Sequence, residues 1–348
     1  MKDLNTKTKV LLAKAGFDAP FEIQPLDGGA NNRVFRVALR DGTGLLLKAY
    51  FQHPDDKRDR LNAEFSFARF AWDSGVRALP EPFVRDDENR LALYRFVEGS
   101  RLKPGQVTEG CVRQALDFFL AVNECKNMPD ARLLPPASEA CFSLGEHIHL
   151  VGLRVNRLLN IDDSTPANSR AARFVRSELL ASWTRIVDEA GQTAAQQLSF
   201  EEQITSQDSC ISPSDFGFHN ALLPADGNLI FIDFEYAGWD DPAKLVCDFF
   251  CQPAVPVPFD FYDLFAKTVA AETSRPDYHL KRFALLLPVY QIKWCCILLN
   301  DFLPTDSKRR RFAHGAADCE QRKEHQLHKA SEALKGLTRR TAAVLVRS

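Results

Sequence analysis

Apolar and polar positions change period along the chain, and that change divides it. Short runs with strand character recur through the first hundred residues: Phe21 to Leu26, Val34 to Val37, Leu45 to Tyr50, Pro80 to Val84 and Leu91 to Val97. They are separated by the turn-formers Asp27-Gly28-Gly29, Gly42-Thr43-Gly44 and Asp86-Asp87-Glu88-Asn89, so the pattern predicts an antiparallel five-stranded sheet. A short helix over Val10 to Ala15 precedes the strands, and an amphipathic helix over Asp59 to Phe70 interrupts them. After Glu98-Gly99-Ser100 the period becomes helical, over Glu109 to Lys126, Phe142 to Leu159 and Arg173 to Ala190. Met128 to Pro136 and Asp162 to Ser169, rich in Pro, Asp, Ser and Asn, are expected to be loops. One late pair of apolar runs, Ala221-Leu222-Leu223 and Leu229-Ile230-Phe231-Ile232, flanks Pro224-Ala225-Asp226-Gly227-Asn228 and predicts a hairpin inside the helical part.

Length and composition agree with this division. With 348 residues, 45% of them hydrophobic, the chain can build a large core, and two lobes fit better than one compact domain. A net charge of −2 provides no broad attraction to nucleic acid or an anionic membrane. Nine cysteines without a secretory leader point to a reducing compartment. Cys247 and Cys251 share a helical face and Cys295-Cys296 lie in an apolar run; without further ligands at metal spacing they read as buried thiols. The longest apolar run, Phe283 to Leu303, carries Pro288, Gln291, Lys293 and Asn300, which suits a buried helix rather than a membrane span. The expectation is a soluble cytoplasmic protein.

The hairpin carries the candidate chemistry. Asp215 and Asn220 lie five positions apart in the loop before it, and Asp233 ends its second strand. Phosphoryl transfer from ATP needs a carboxylate to accept or orient the attacking hydroxyl, and oxygen ligands to hold Mg²⁺ against the phosphates. Asp215 is the candidate base, and Asn220 and Asp233 the candidate metal ligands. Near the N-terminus, the small-residue turn Gly28-Gly29-Ala30-Asn31 would let backbone amides approach polyphosphate. Lys48, on the strand after the next glycine turn, stands where a kinase-like fold puts its phosphate-binding lysine, and Glu64 on the following helix is its expected partner.

Together these motifs resemble the aminoglycoside phosphotransferase and choline kinase superfamily, whose catalytic pattern is His-x-Asp, four residues, Asn, then an Ile-Asp-aromatic strand end. Ile232-Asp233-Phe234-Glu235-Tyr236-Ala237 is particularly similar to the choline kinase form. The resemblance implies an α+β, protein-kinase-like two-lobe fold: an antiparallel small lobe at 1–97 and a mainly helical large lobe at 98–348. It also implies ATP and Mg²⁺ as cofactors, a small-molecule hydroxyl as acceptor, and adenine held by backbone groups at Phe96, Val97 and Glu98. Two positions depart from the pattern. Pro213 stands where the family has its loop-buttressing His, with His219 a second candidate buttress. In Asp241-Pro242-Ala243-Lys244-Leu245, Lys244 stands near the usual second Asp, and Asp241 reads as a helix N-cap.

Those departures favour one alternative, a nucleotide-binding pseudokinase acting as an interaction module. Against it stands the joint retention of Lys48, Asp215, Asn220 and Asp233. A protein kinase is less compatible, because no Ala-Pro-Glu segment follows Asp233. The basic run Lys308-Arg309-Arg310-Arg311 reads as a solvated segment, and Tyr290, Lys293 and Trp294 fit either core packing or an acceptor pocket. For the acceptor, Glu235, Asp240 and Asp241 would suit a cation and Lys293 an anionic or sugar alcohol; the balance leans to a neutral, sugar-like hydroxyl.

Overall fold

The computed structural model describes residues 2–26, 32–52, 58–303 and 319–345. The chain divides into two compact units, one formed by Met1–Ser138 with Ile211–Trp239 and the other by Glu139–Cys210 with Asp240–Ser348.

The first unit contains the antiparallel sheet. Its strands β1 (Phe21–Leu26), β2 (Arg33–Leu39), β3 (Gly44–Ala49), β4 (Pro82–Asp86) and β5 (Leu91–Arg95) lie in the order β1-β2-β3-β5-β4. One face buries Val37, Leu39, Leu45, Leu47, Leu91 and Leu93 against Leu11 and Leu12 of helix α1 (Lys2–Lys14). That helix is longer than the apolar run suggested. Its first two turns are polar and are anchored by Asp3 in the opening turn and a Lys7–Asp3 ion pair of 2.7 Å. Helix α2 (Arg60–Asp73) opens on Asp59, whose carboxylate accepts the Asn62 amide.

Helix α3 (Glu109–Glu124) and the hairpin lie in the same compact unit as this sheet. Aromatic packing ties them together: Phe118 of α3 lies 4.9 Å from Phe231 and 5.9 Å from Phe234 in ring centroids, and Phe67 of α2 lies 4.7 Å from Phe234. The hairpin strands β8 (Ala221–Leu223) and β9 (Ile230–Phe231) pair as the apolar runs predicted, and β6 (Ser100–Arg101) joins as a third strand. The Phe231 amide also donates to the Ala78 carbonyl at 2.9 Å.

The second unit is helical. Helix α4 (Leu144–Leu158) starts on a capping box of Ser143 and Glu146. The expected loop at 162–169 is shorter than composition suggested, because Thr165 caps helix α5 (Pro166–Phe174) with Pro166 in its first turn. A π-helical turn, Val175–Leu179, continues it into α6 (Leu180–Gln197). Then follow α7 (Pro242–Cys251), α8 (Tyr262–Ala271), α9 (Pro276–Leu298) and α10 (Cys319–Leu345). Helix α9 packs on α4, α6, α7, α8 and α10. By length and composition it could cross a membrane, but 78% of its most apolar window is buried in the protein, as for a core helix. Cys247, Cys251, Cys295 and Cys296 are buried free thiols.

One glycine is fixed by contact. Gly238 has φ +157°, and a Cβ there would fall 2.2 Å from the Pro135 carbonyl oxygen, where Trp239 exchanges backbone hydrogen bonds with Pro135 and Ala137. Gly238→Ala is expected to destabilise the protein by roughly 3 kcal/mol. Gly191→Ala, inside α6 with nothing within 4 Å of its added methyl, should stabilise it by about 0.5–1 kcal/mol. Thermal melts of the two variants check the contrast.

Candidate active site

A buried lysine organises the first unit. Lys48 on β3 points its ammonium at Glu64 of α2, Nζ to Oε2 2.7 Å, and at Asp233 just beyond β9, Nζ to Oδ1 2.5 Å. Lys48 and Glu64 have side chains only 7% exposed, while the Asp233 carboxylate is 42% exposed. Burial pushes the Lys48 ammonium down, but Asp233, Glu64 and Glu235 outweigh it and hold the pKa well above the ordinary value. The same burial, together with the nearby carboxylates of Asp233 and Glu235, pushes Glu64 up to about 7 against the opposing pull of Lys48. One lysine does not offset three acids.

These groups line a cavity of about 340 Å³. Its wall includes Leu26, Val34 and Leu46 of the sheet, Phe96 and Val97 after β5, and Leu222, Ile232 and Asp233 of the hairpin segment. Apolar side chains and a few charged ones share its lining, the composition expected of a small-molecule site. Of the residues singled out in the sequence, Lys48, Glu64, Phe96, Val97 and Asp233 meet here. Glu98 does not; it is exposed and paired with Arg36 at 3.0 Å. The Phe96 amide donates to the Gly44 carbonyl at 3.2 Å. Gly28, Gly29 and Asn31, like the basic run at 308–311, lie outside the described residues.

Asp215 and Asn220 form a separate, hydrogen-bonded loop. The Asn220 side-chain amide donates to the Asp215 carbonyl at 3.0 Å and stands 3.4 Å from its Oδ2. The Asn220 carbonyl accepts the Ile232 amide at 2.9 Å, which fixes the loop to the residue preceding Asp233. His219 Nε2 lies 3.2 Å from Asp215 Oδ1. Upstream, Asn123 of α3 exchanges two hydrogen bonds with the backbone of Ile211, 3.0 and 2.9 Å, where the chain enters β7 (Cys210–Ser212). Four non-glycine residues among the described ones sit in the left-handed region, Arg90, Glu139, Ser214 and Asp233; the last two, φ +67° and +68°, lie one beside and one at a candidate site position.

A model of the phosphotransferase enzyme family matches residues 22–279. The chain belongs to that family. No curated protein gives a significant match. Among solved structures it is similar to spectinomycin phosphotransferase, APH(9)-Ia, in complex with ADP and spectinomycin, with 14% identity, 94% of this chain and 98% of that chain covered and a TM-score of 0.59. A choline/ethanolamine kinase family protein from Mesorhizobium loti is 17% identical, with 99% of each chain covered and a TM-score of 0.56. The amicoumacin kinase hAmiN, in complex with AMP-PNP, Ca²⁺ and Ami, is 15% identical, with 96% of each chain covered and a TM-score of 0.53. At these identities the likeness is one of fold.

The cluster around Lys48 includes polar residues that carried no signal in the sequence. Tyr50 donates to Glu64 Oε2 at 2.9 Å and is 2.8 Å from the Tyr94 hydroxyl, so two buried tyrosines brace the glutamate that braces Lys48. Asn32 donates to the Glu235 carboxylate, with Arg60 Nε 3.6 Å away. Strand alternation would place Tyr50 and Tyr94, but nothing local marks their hydroxyls as partners of a residue on α2.

In the second unit, Asp241 caps α7 as expected, accepting the Ala243 amide at 2.7 Å, and is buried against Arg282 and His147. Against burial, which would raise it, the Arg282 guanidinium and His147 hold its carboxyl well below the usual range. Lys293 pairs with Asp248 at 2.8 Å, Trp294 donates to the same carboxylate at 2.8 Å, and the Tyr290 hydroxyl is 2.7 Å from His147 Nδ1. All three residues once open as acceptor-pocket candidates therefore have partners inside this unit.

The Glu64 shift makes a pH prediction. An acid whose pKa is higher folded than unfolded binds extra protons when folded, so its contribution to stability is fully present below the unfolded value and falls as pH rises through the folded one. For Glu64 that window runs from 4.5 to about 7. Melting curves should show the wild type losing stability on the order of 3 kcal/mol across it, a component that Glu64→Gln lacks.

Proposed function

We propose that the protein transfers the γ-phosphate of ATP, with Mg²⁺, to a hydroxyl of a small molecule. The observation that carries this is the convergence of Glu64 and Asp233, 16 and 185 residues away in sequence, on the Lys48 ammonium in one cavity. Lys48, held by Glu64, would bind the α and β phosphates, and the cavity-lining segment Phe96-Val97 would hold the adenine. The family match supports the reaction class.

Among the described residues no group of three or more His, Cys, Asp or Glu could hold a metal by itself. Asp233 and Asn220 offer two oxygen donors, which fits Mg²⁺, a cation that keeps waters and takes its remaining ligands from substrate phosphates. Bound there, Mg²⁺ would neutralise charge on the transferring phosphates. Asp215 would accept or orient the acceptor hydroxyl proton, with its backbone carbonyl and Oδ2 both near the Asn220 amide.

For the acceptor we favour a neutral, sugar-like hydroxyl compound over a cationic one. The carboxylates that follow Asp233 are already partnered: Glu235 by Asn32 and Arg60, Asp240 by Lys244, Asp241 by Arg282. The Tyr236 ring is covered by Arg58 and Arg60, 5.5 and 5.9 Å from its centroid, which leaves it ill suited to caging an amine. Eight free cysteines among the described residues suit a reducing compartment, and we assign the enzyme to the cytoplasm on that basis.

Asp215→Asn should leave ATP binding within about twofold of wild type while lowering turnover by about two orders of magnitude or more, the contribution of a positioned base. Near-native turnover would remove Asp215 from the reaction. An acceptor screen read by ADP release should favour sugars and polyols; selectivity for choline or aminoglycosides would overturn the acceptor assignment.

A further inference from the structure

We propose that His219 is the positioning residue of Asp215, holding its carboxylate by a hydrogen bond from Nε2–H and doing so from the C-terminal side of the loop. This rests on the phosphotransfer reading above for the role of Asp215, and on geometry for the rest.

Pro213, two residues before Asp215, carries no side-chain donor of its own. The Ser214 amide there is occupied with the Ser212 hydroxyl at 3.0 Å. On the other side, the 3-10 turn Phe218–Asn220 directs the His219 ring back at Asp215, with Nε2 3.2 Å from Oδ1. The ring is largely buried, 18% exposed. Its Nδ1 is buried without a hydrogen-bond partner among the described residues.

That asymmetry selects the tautomer. A carboxylate oxygen accepts, so Nε2 must carry the proton. In the neutral ring Nδ1 is then a bare acceptor, the form whose burial without a donor is the less unfavourable of the two: a buried N–H in that position would need a partner. The backbone of the same residue is held as well. Arg101, a lining residue of the cavity and part of strand β6, donates from its guanidinium to the His219 carbonyl at 2.9 Å. Since β6 pairs with β8, the strand that follows His219 directly, the imidazole is positioned from its main chain by the element that also walls the cavity. Arg101, His219 and Asp215 thus form a line from cavity wall to candidate base, with the Asn220 amide on the opposite oxygen of the same carboxylate. A carboxylate bonded at each oxygen by a different donor has its plane fixed, which is what a base aimed at one hydroxyl needs.

The test uses the full chain with Mg²⁺ and ATP, water serving as the acceptor and ADP release as the readout. His219→Leu should lower kcat about 10- to 100-fold, the range for loss of one hydrogen bond to a charged group, with KM for ATP changed less than about twofold. His219→Gln, which keeps an N–H near the Nε2 position, should recover most of that loss. In an Asp215→Asn background, His219→Leu should cost less than about twofold, because a residue acting through Asp215 has nothing left to position. Equal losses in both backgrounds, or an effect on KM rather than kcat, would overturn the proposal. A second readout needs no turnover. Long-range ¹H–¹⁵N spectra of the wild type, with His219 assigned by its absence in His219→Gln, should show the Nε2–H tautomer, and Asp215→Ala should abolish that preference. An Nδ1–H tautomer in the wild type would refute the positioning role whatever the fate of the phosphotransfer reading, which fails separately if the wild type neither binds nor hydrolyses ATP.

Discussion

An ammonium buried to 7% exposure is unfavourable unless carboxylates surround it, and Lys48 has two in direct contact and a third nearby. This requirement orders much of the first unit. Glu64 must come from α2, so α2 must lie against the sheet. Asp233 must come from the end of β9, so the hairpin must be carried to the same place, and the Phe67, Phe118 and Phe234 rings that bury the joint do this. Tyr50, Tyr94, Asn32 and Arg60 then brace the acids themselves. The excess of carboxylate over ammonium is visible in Glu64, pushed up to about 7. In the proposed reaction, a divalent cation at Asp233 would offset that excess, while the phosphates of ATP would pair with the Lys48 ammonium that Glu64 holds.

Two of the four left-handed non-glycine residues among the described ones, Ser214 and Asp233, lie beside or at the candidate site positions. Asp233 at φ +68° costs less than most residues would, since aspartate tolerates the left-handed region, and the conformation turns its carboxylate toward Lys48 as β9 ends. Ser214 at φ +67° does the equivalent for the residue before Asp215, with the Ser212 hydroxyl on its amide. Hydrogen bonds on both sides over-determine these two turns, the condition under which local strain persists in a folded chain.

The sheet, α2, α3 and the hairpin were legible in the sequence because each has a clear period or turn signal, and Lys48 with Glu64 followed from their order along such elements. What was not legible depends on contacts between elements. The packing of the hairpin on α3 comes from Phe118, which reads as an ordinary apolar position of α3 until its neighbours are known. The opening of α5 at Pro166 was hidden by a composition shared by loops and helix caps, since Thr165 and Pro166 serve both. Lys293 fitted either core packing or an acceptor pocket, and its buried pairing with Asp248, 45 residues earlier, was not visible in the local pattern. Asn123 and Tyr50 act through side-chain hydrogen bonds to partners 88 and 14 residues away, which no local pattern announces.

The central claim is that Lys48 and Asp233 together form a nucleotide and metal site, in which Asp233 would hold Mg²⁺ against the phosphates of ATP. Calorimetric titration of the wild-type protein with ATP, once in Mg²⁺ and once in EDTA, tests it most directly. The account predicts a dissociation constant at least about tenfold lower with Mg²⁺, a difference of about 1.4 kcal/mol. Equal affinity in the two buffers would contradict it.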